Sequence, residues 1–225
     1  MIVFDSVTKS YPAGNIALDD LSFEIDGNEF LFLVGPSGAG KTTILKLLLR
    51  QIMPTSGTIT INDQIITDVN FKNTQKLRQS IGMIFQDFKI LPDKNIFENI
   101  AIALKITDMP KHQVKKDVNE VLELVNLADK KKMFPVQLSA GELQRVVIAR
   151  AIVGNREIIL ADEPTGNLDP RTTWEIMKIF KKLEGEKTII IATHNVDIVN
   201  SFNKRVITLE NGKIKKDKKG GKYEL

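Results

Sequence analysis

The sequence predicts an α/β fold with an antiparallel β portion near its start and a helical insertion in its middle. Three observations carry that expectation. Phe30–Val34, Ile158–Ala161 and Thr188–Ala192 are short continuous apolar runs, as expected for parallel strands covered on both faces. Val114, Val118, Val121, Leu122 and Val125 recur at helical spacing between Lys and Glu residues, so the middle of the chain is helical. Directly after the first apolar run comes Gly35-Pro-Ser-Gly-Ala-Gly-Lys-Thr42, which fits Gly-x-x-x-x-Gly-Lys-[Ser/Thr], a phosphate-binding loop joining a strand to a helix.

Taken in order, Ile2–Phe4 and Leu21–Ile25 read as short strands separated by turns at Pro12–Gly14 and Asp26-Gly27. Beyond the loop, Thr43–Arg50 reads as a helix whose positive N-terminal end faces the phosphates. Pro54–Gly57 is a turn signal, and Thr58–Asn62 alternates with period two, a half-buried strand. Ile81–Phe85 is a further apolar strand. From about Asp87 to Asn126 the character is helical, with Pro110 before one helix and Pro135 opening the next transition. Thr172–Leu183 is an amphipathic helix between the last two apolar runs.

Bulk properties narrow the function. The 225 residues can bury a real core, and a net charge of +4, from 32 basic and 28 acidic residues, is too mild to argue for nucleic acid. Zero cysteines rule out disulfides and thiolate metal sites. No apolar run approaches the ~18 residues of a spanning helix, and no signal-peptide pattern opens the chain. A cytosolic protein is expected, held at any membrane by a partner. Lys213–Lys222 carries six lysines against one aspartate. It is expected to be a solvated, frayed tail, with contact to anionic lipid headgroups as the alternative. Lys130–Lys132 is expected in an exposed loop.

The phosphate loop supplies the chemistry. Its glycines allow successive N–H groups of Gly35, Ser37, Gly38, Ala39, Gly40, Lys41, Thr42 and Thr43 to turn inward on an anion. Lys41 reaches the β- and γ-phosphates, and the Thr42 hydroxyl is a ligand for Mg²⁺. Asp162 and Glu163 end a buried strand, at the edge where open α/β sheets bind ligands. Asp162 suits Mg²⁺, and Glu163 suits orienting or deprotonating the attacking water. His194 and Gln86 follow two other strands toward the same edge. The histidine can bond the γ-phosphate, and the amide can bind Mg²⁺ or the water.

Leu138-Ser-Ala-Gly-Glu142 and the following Leu-Gln-Arg-Val-Val-Ile-Ala-Arg-Ala151 resemble the signature of ATP-binding-cassette (ABC) ATPases, usually Leu-Ser-Gly-Gly-Gln. Tyr11, the phosphate loop, Gln86, the signature, Asp162-Glu163, Asn167-Leu-Asp169 and His194 match that family's motifs in order, over nearly the whole chain. The resemblance implies a P-loop NTPase fold of ABC ATPase type as a single domain. Residues 1–86 and 157–225 would form a RecA-like core with an antiparallel β subdomain, and residues 87–156 a helical signature subdomain. It also implies ATP and Mg²⁺ as substrate and cofactor, and adenine stacking on Tyr11. A head-to-tail homodimer would place Ser139, Ala140, Gly141, Glu142 and Asp169 of one copy against the ATP held by Gly35–Thr42 of the other. Two residues depart from the pattern. Ala140 replaces a glycine, which implies a weaker closed dimer, and Glu142 replaces the glutamine, which bears on the strength of the contact with the other copy but not on its existence.

Phe85-Gln-Asp-Phe-Lys-Ile-Leu-Pro92, Phe97-Glu-Asn99, Ala161–Pro170 and Trp174–Met177 are similar to the family's bacterial cell-division branch. That resemblance implies a four-span, FtsX-like membrane partner gripped by Asp87–Leu91, with Phe88, Ile90 and Leu91 in contact. The protein would lie on the cytoplasmic face of the membrane at the division site and regulate peptidoglycan hydrolysis outside. Phe88, Ile90 and Leu91 packing inside the helical subdomain is the alternative for that segment. For the whole chain the rivals are a lipoprotein-release or macrolide-type exporter ATPase, and a scaffold controlled by nucleotide binding alone.

Overall fold

The computed structural model describes residues 1–12, 14–107, 109–221 and 223. The expected turn at Pro12–Gly14 includes Ala13, and the expected tail includes Lys222. Both of these residues lie outside the described set.

Two sheets form the frame. β1 (Ile2–Ser10), β2 (Ile16–Ile25), β4 (Ser56–Ile61) and β5 (Gln64–Ile65) make an antiparallel sheet of order β2-β1-β4-β5. The second sheet contains β3 (Phe30–Val34), β6 (Ile81–Ile84), β7 (Ile158–Asp162), β8 (Thr188–Ala192), β9 (Arg205–Glu210) and β10 (Lys213–Lys218). Its order is β10-β9-β3-β8-β7-β6, and every pairing is parallel except β9 with β10.

The continuous apolar runs behave as expected, and successive side chains serve two cores. Phe30, Phe32 and Val34 of β3 face one buried cluster together with Ile159, Ala161, Ile189 and Ile191. Leu31 and Leu33 face the other with Ile158, Leu160, Ile190 and Ala192. Such a strand has no polar face because it has no solvent face. Each fully buried Ile, Leu or Phe stabilises the fold by about 1.5–3 kcal/mol relative to exposure. The first cluster is closed by α3 (Ile96–Lys105), α4 (Lys111–Leu124), α5 (Ala140–Ile152), α6 (Pro170–Lys182) and α7 (Val196–Phe202). The second is closed by α1 (Lys41–Leu48) and the antiparallel sheet, with Leu77 of α2 (Thr74–Ser80) beside them.

The stretch expected to be helical from Asp87 is not helical before Ile96. Asn99 is fully buried, accepts from Leu91 N and donates to the carbonyls of Leu91, Lys94 and Asn95. A side chain of α3 thus replaces the backbone bonds that a helix there would have made. Asn95 and Glu98 then form a capping box that starts α3 cleanly.

The basic C-terminal stretch is also a correction. Lys213–Lys218 is not frayed but is the edge strand β10, with its lysine side chains in solvent. Asn211 and Gly212 take φ of 51° and 75°, the two left-handed positions of a tight hairpin turn. Arg205 anchors the pair of strands, bonding Asp217 at 2.6 and 2.8 Å and Glu29 at 3.1 Å. A backbone already paired to β9 cannot fray for want of hydrogen bonds, whatever its charge.

Candidate functional site

Strands β3, β6, β7, β8 and β9 run parallel, so their C-terminal ends share one edge. A cleft of about 820 Å³ opens there. Of the residues expected from sequence, Gly35, Ser37, Gly38, Ala39, Gly40, Lys41, Thr42, Thr43, Gln86, Asp162, Glu163 and His194 line it. Strands far apart in the chain bring them together.

Gly35 shows why the loop begins with glycine: its φ is 147°, and a Cβ there would sit 2.3 Å from the Leu209 carbonyl oxygen of β9. Lys41 stands on the first turn of α1, only 8% exposed, and its ammonium donates to Gly35 O at 2.7 Å and Pro36 O at 3.0 Å. Burial pushes its pKa down, opposed by the Glu163 and Asp162 carboxylates. Those two acids favour the charged ammonium against the pull of burial.

Thr42 Oγ1 donates to Asp162 Oδ2 at 2.8 Å. Burial pushes the Asp162 carboxyl up, while the Thr42 hydroxyl and Lys41 work against it. These hard oxygen donors, with the Gln86 amide on the same wall, fit Mg²⁺. Among the described residues no group of three or more His, Cys, Asp or Glu could hold a metal. An ion held by Thr42, Asp162 and Gln86 would take its remaining ligands from phosphate and water. When bound, it neutralises charge between phosphate oxygens.

Glu163 follows with φ of 47°, and its N–H donates to Ala192 O at 2.9 Å. Its carboxylate is held on both sides, Oε1 lying 2.7 Å from His194 Nδ1 and Oε2 accepting from Thr193 Oγ1 at 3.1 Å. A carboxylate fixed at two points and facing a phosphate loop can aim a water and take its proton.

The remaining expected residues do not line the cleft. Tyr11 ends up between β1 and β2 with the Lys9 ammonium over its ring at 5.2 Å, in a turn closed by bonds between Tyr11 and both Asn15 and Gly14. Ser139, Ala140, Gly141, Glu142 and Asp169 gather elsewhere. Ser139 caps α5 and Asp169 caps α6, the latter accepting from Thr172 N at 3.0 Å. A Cβ on Gly141 would meet Thr172 at 2.4 Å, so the two helix starts touch. Arg145 and Glu175 pair at 3.1 Å between the same helices. Farther along, Phe88 and Ile90 are half-buried against the helical core, and Arg150 donates to the carbonyls of Phe88 and Lys89 at 2.9 and 2.8 Å.

Glu142 has a role that the sequence reading did not assign. It completes a capping box with Ser139 and pairs with Lys130. The hydrogen bond from Lys130, then the Ser139 N–H, pull its carboxyl down to about 2. The pair therefore supports the start of α5 fully above the ordinary glutamate range, and that support is lost as pH falls through about 2. Followed by carbon NMR through an acid titration, Glu142 should titrate near 2 in the parent and move up toward the ordinary value in Lys130→Ala. An ordinary midpoint in the parent would refute the pairing.

Sequence reasoning missed part of the wall. Thr208, Leu209, Glu210, Lys215, Lys216 and Tyr223 also line the cleft. The Asn211-Gly212 pair was a legible hairpin signal. That its strands lie beside β3 was not.

Comparison with known proteins agrees with this geometry. Residues 18–166 match the family model described as ABC transporter. The chain is 47% identical to the cell division ATP-binding protein FtsE of Bacillus subtilis, over 99% of this chain and 98% of that protein. It is 42% identical to the methionine import ATP-binding protein MetN 1 of Bacillus thuringiensis, over 95% of this chain but 65% of that protein. A solved dimer of the ATP-binding cassette MJ0796, in a post-hydrolysis state with ADP and Pi, superposes with a TM-score of 0.88. That match has 34% identity and covers 99% of this chain and all of the other. Sequence, strand order and the cleft at the strand tips thus agree on one assignment: the chain belongs to the ABC transporter family of ATP-binding cassettes.

Proposed function

We propose that the chain is the ATP-hydrolysing subunit of a bacterial cell-division complex, acting as a homodimer on an FtsX-like, four-span membrane protein. The observation that carries the chemistry is the Glu163 carboxylate, held by His194 and Thr193 on the cleft that Lys41 and Asp162 also line. In the reaction a water attacks the γ-phosphorus of ATP and gives its proton to Glu163. The bond from the γ-phosphorus to the bridging oxygen breaks, leaving ADP and phosphate. Lys41 holds the β- and γ-phosphates, His194 the γ-phosphate, and Thr42, Asp162 and Gln86 hold Mg²⁺.

The homodimer follows from what one copy lacks. Ser139–Glu142 and Asp169, which the family resemblance assigns to ATP, cluster outside the cleft of their own chain, so by that assignment they would meet ATP on a second copy. The MJ0796 cassette was itself solved as a dimer. Among the described residues no helix is long and apolar enough to cross a membrane. Asp87–Leu91, irregular and half-buried at Phe88 and Ile90, is the segment we assign to the membrane partner. The complex would sit at the cytoplasmic face of the division site and transmit closure to peptidoglycan hydrolysis outside. The division reading rests on the full-length likeness to FtsE; the importer likeness covers a smaller share of its relative. A lipoprotein-release or macrolide-type exporter is not favoured.

The test is affinity capture of the Glu163→Gln chain from native membranes with ATP, followed by mass spectrometry. A four-span protein with an extracellular domain should be recovered. Changing Phe88 and Ile90 together should reduce that recovery while ATP binding stays near the parent's, with some loss of melting temperature from their packing against the helical core. Capture of an export permease instead would overturn the division reading and leave the ATPase chemistry standing.

A further inference from the structure

After β10 the chain turns back across the sheet. Gly221 N donates to Lys204 O at 3.1 Å. Tyr223 N donates to Asn200 Oδ1 at 2.7 Å, and Asn200 Nδ2 donates to Tyr223 O at 3.1 Å. One side chain of α7, the helix that starts just after His194, therefore clamps both backbone groups of Tyr223. The residue is 4% exposed and packs in the helix-side core, yet it lines the cleft with Lys41, Glu163 and His194.

A buried phenol ordinarily finds a hydrogen-bond partner. Among the described residues the Tyr223 hydroxyl bonds none, and its oxygen is not among the buried polar atoms left unpaired, so water can reach it. Burial, and then the nearby Glu163 carboxylate, push its pKa up, so it stays protonated and able to donate. Glu163 has capacity to accept: a carboxylate takes about four hydrogen bonds, and among the described residues His194 and Thr193 alone bond it. Both residues line the same cleft and no direct bond joins them, so a water held in that cleft is the link available between the two groups.

We propose that Tyr223 is a positioning residue for ATP hydrolysis: its hydroxyl donates through one water to Glu163 and helps aim that carboxylate at the attacking water. The inference rests on Glu163 as the base. It gives the chain's last described residue a part in turnover, delivered by the β9–β10 hairpin and the Asn200 clamp.

The experiment is single-turnover hydrolysis by the full-length chain in excess over MgATP, with ATP affinity and melting temperature measured alongside. Tyr223→Phe keeps the ring and removes only the hydroxyl. It should lower the rate at saturation about threefold to tenfold, the loss of one hydrogen bond, with ATP affinity unchanged. Asn200→Ala, which frees the backbone of Tyr223, should lower the rate in the same direction. Because both act through one group, the double variant should be no slower than Tyr223→Phe. A parental rate for Tyr223→Phe, or a loss confined to ATP affinity, overturns the proposal. Glu163→Gln in parallel separates the two readings. If it is nearly inactive while Tyr223→Phe is parental, only the positioning role falls. If it hydrolyses like the parent, the base assignment falls first.

Discussion

Glu163→Gln is expected to slow ATP hydrolysis about 100-fold to 10,000-fold, the usual contribution of a positioned general base, while ATP still binds. The substitution is nearly isosteric, so the amide oxygen can still accept from Thr193 where Oε2 does now. What disappears is the basic carboxylate between Thr193 and His194, and with it a place for the proton of the attacking water. Binding persists because Lys41, Thr42 and the loop N–H groups are untouched, and one negative charge fewer faces the phosphates. The trapped ATP should hold two copies together. Single-turnover kinetics and size-exclusion chromatography with ATP check both halves. Hydrolysis within about threefold of the parent, far short of a base's contribution, would remove Glu163 from its role.

Lys41→Ala is expected to weaken ATP binding about 10-fold to 150-fold, the equivalent of the 1.5–3 kcal/mol carried by hydrogen bonds to a charged group. Lys41 as a whole is 8% exposed, so its interactions are poorly screened. It is also the cation that Asp162 and Glu163 face, since both act on its pKa. Without it those two carboxylates meet the triphosphate with one cation fewer to offset the like charge. The two carbonyl bonds lost, to Gly35 and Pro36, stabilise the loop little by comparison. Calorimetric titration with MgATP measures the change. Parental affinity would mean that the phosphates bind elsewhere.

The readable parts of the site share a cause. β3, β7 and β8 are continuous apolar runs because both faces are buried, so each strand's end can be located from composition alone. The residues just past those ends, Gly35–Thr42, Asp162-Glu163 and His194, are then brought to one edge by parallel pairing. Gln86 follows β6 by the same logic. Other roles depend on neighbours that the one-dimensional pattern does not name. Glu142 could be read as a substitution in a motif, but not as the partner of Lys130 across twelve residues. Tyr11 could be read as an aromatic upstream of the loop, but not as a ring covered by Lys9 and absent from the cleft wall.

By itself, then, the sequence determined the α/β class, the phosphate loop and the order of the proposed catalytic groups along the chain. Each of these is written in local spacing: a run of apolar residues, a glycine count, an acid at a strand end. Only the tertiary structure decided that β9 lies against β3, that the basic terminus is a paired strand, and that Tyr223 reaches the wall shared with Glu163. The reason is physical. A lysine-rich segment looks solvated in sequence because its side chains are, but strand pairing is made by the backbone, whose donors and acceptors are the same in every such residue. Which edge they pair with is set by packing among distant strands, and that information appears in no single stretch of the chain.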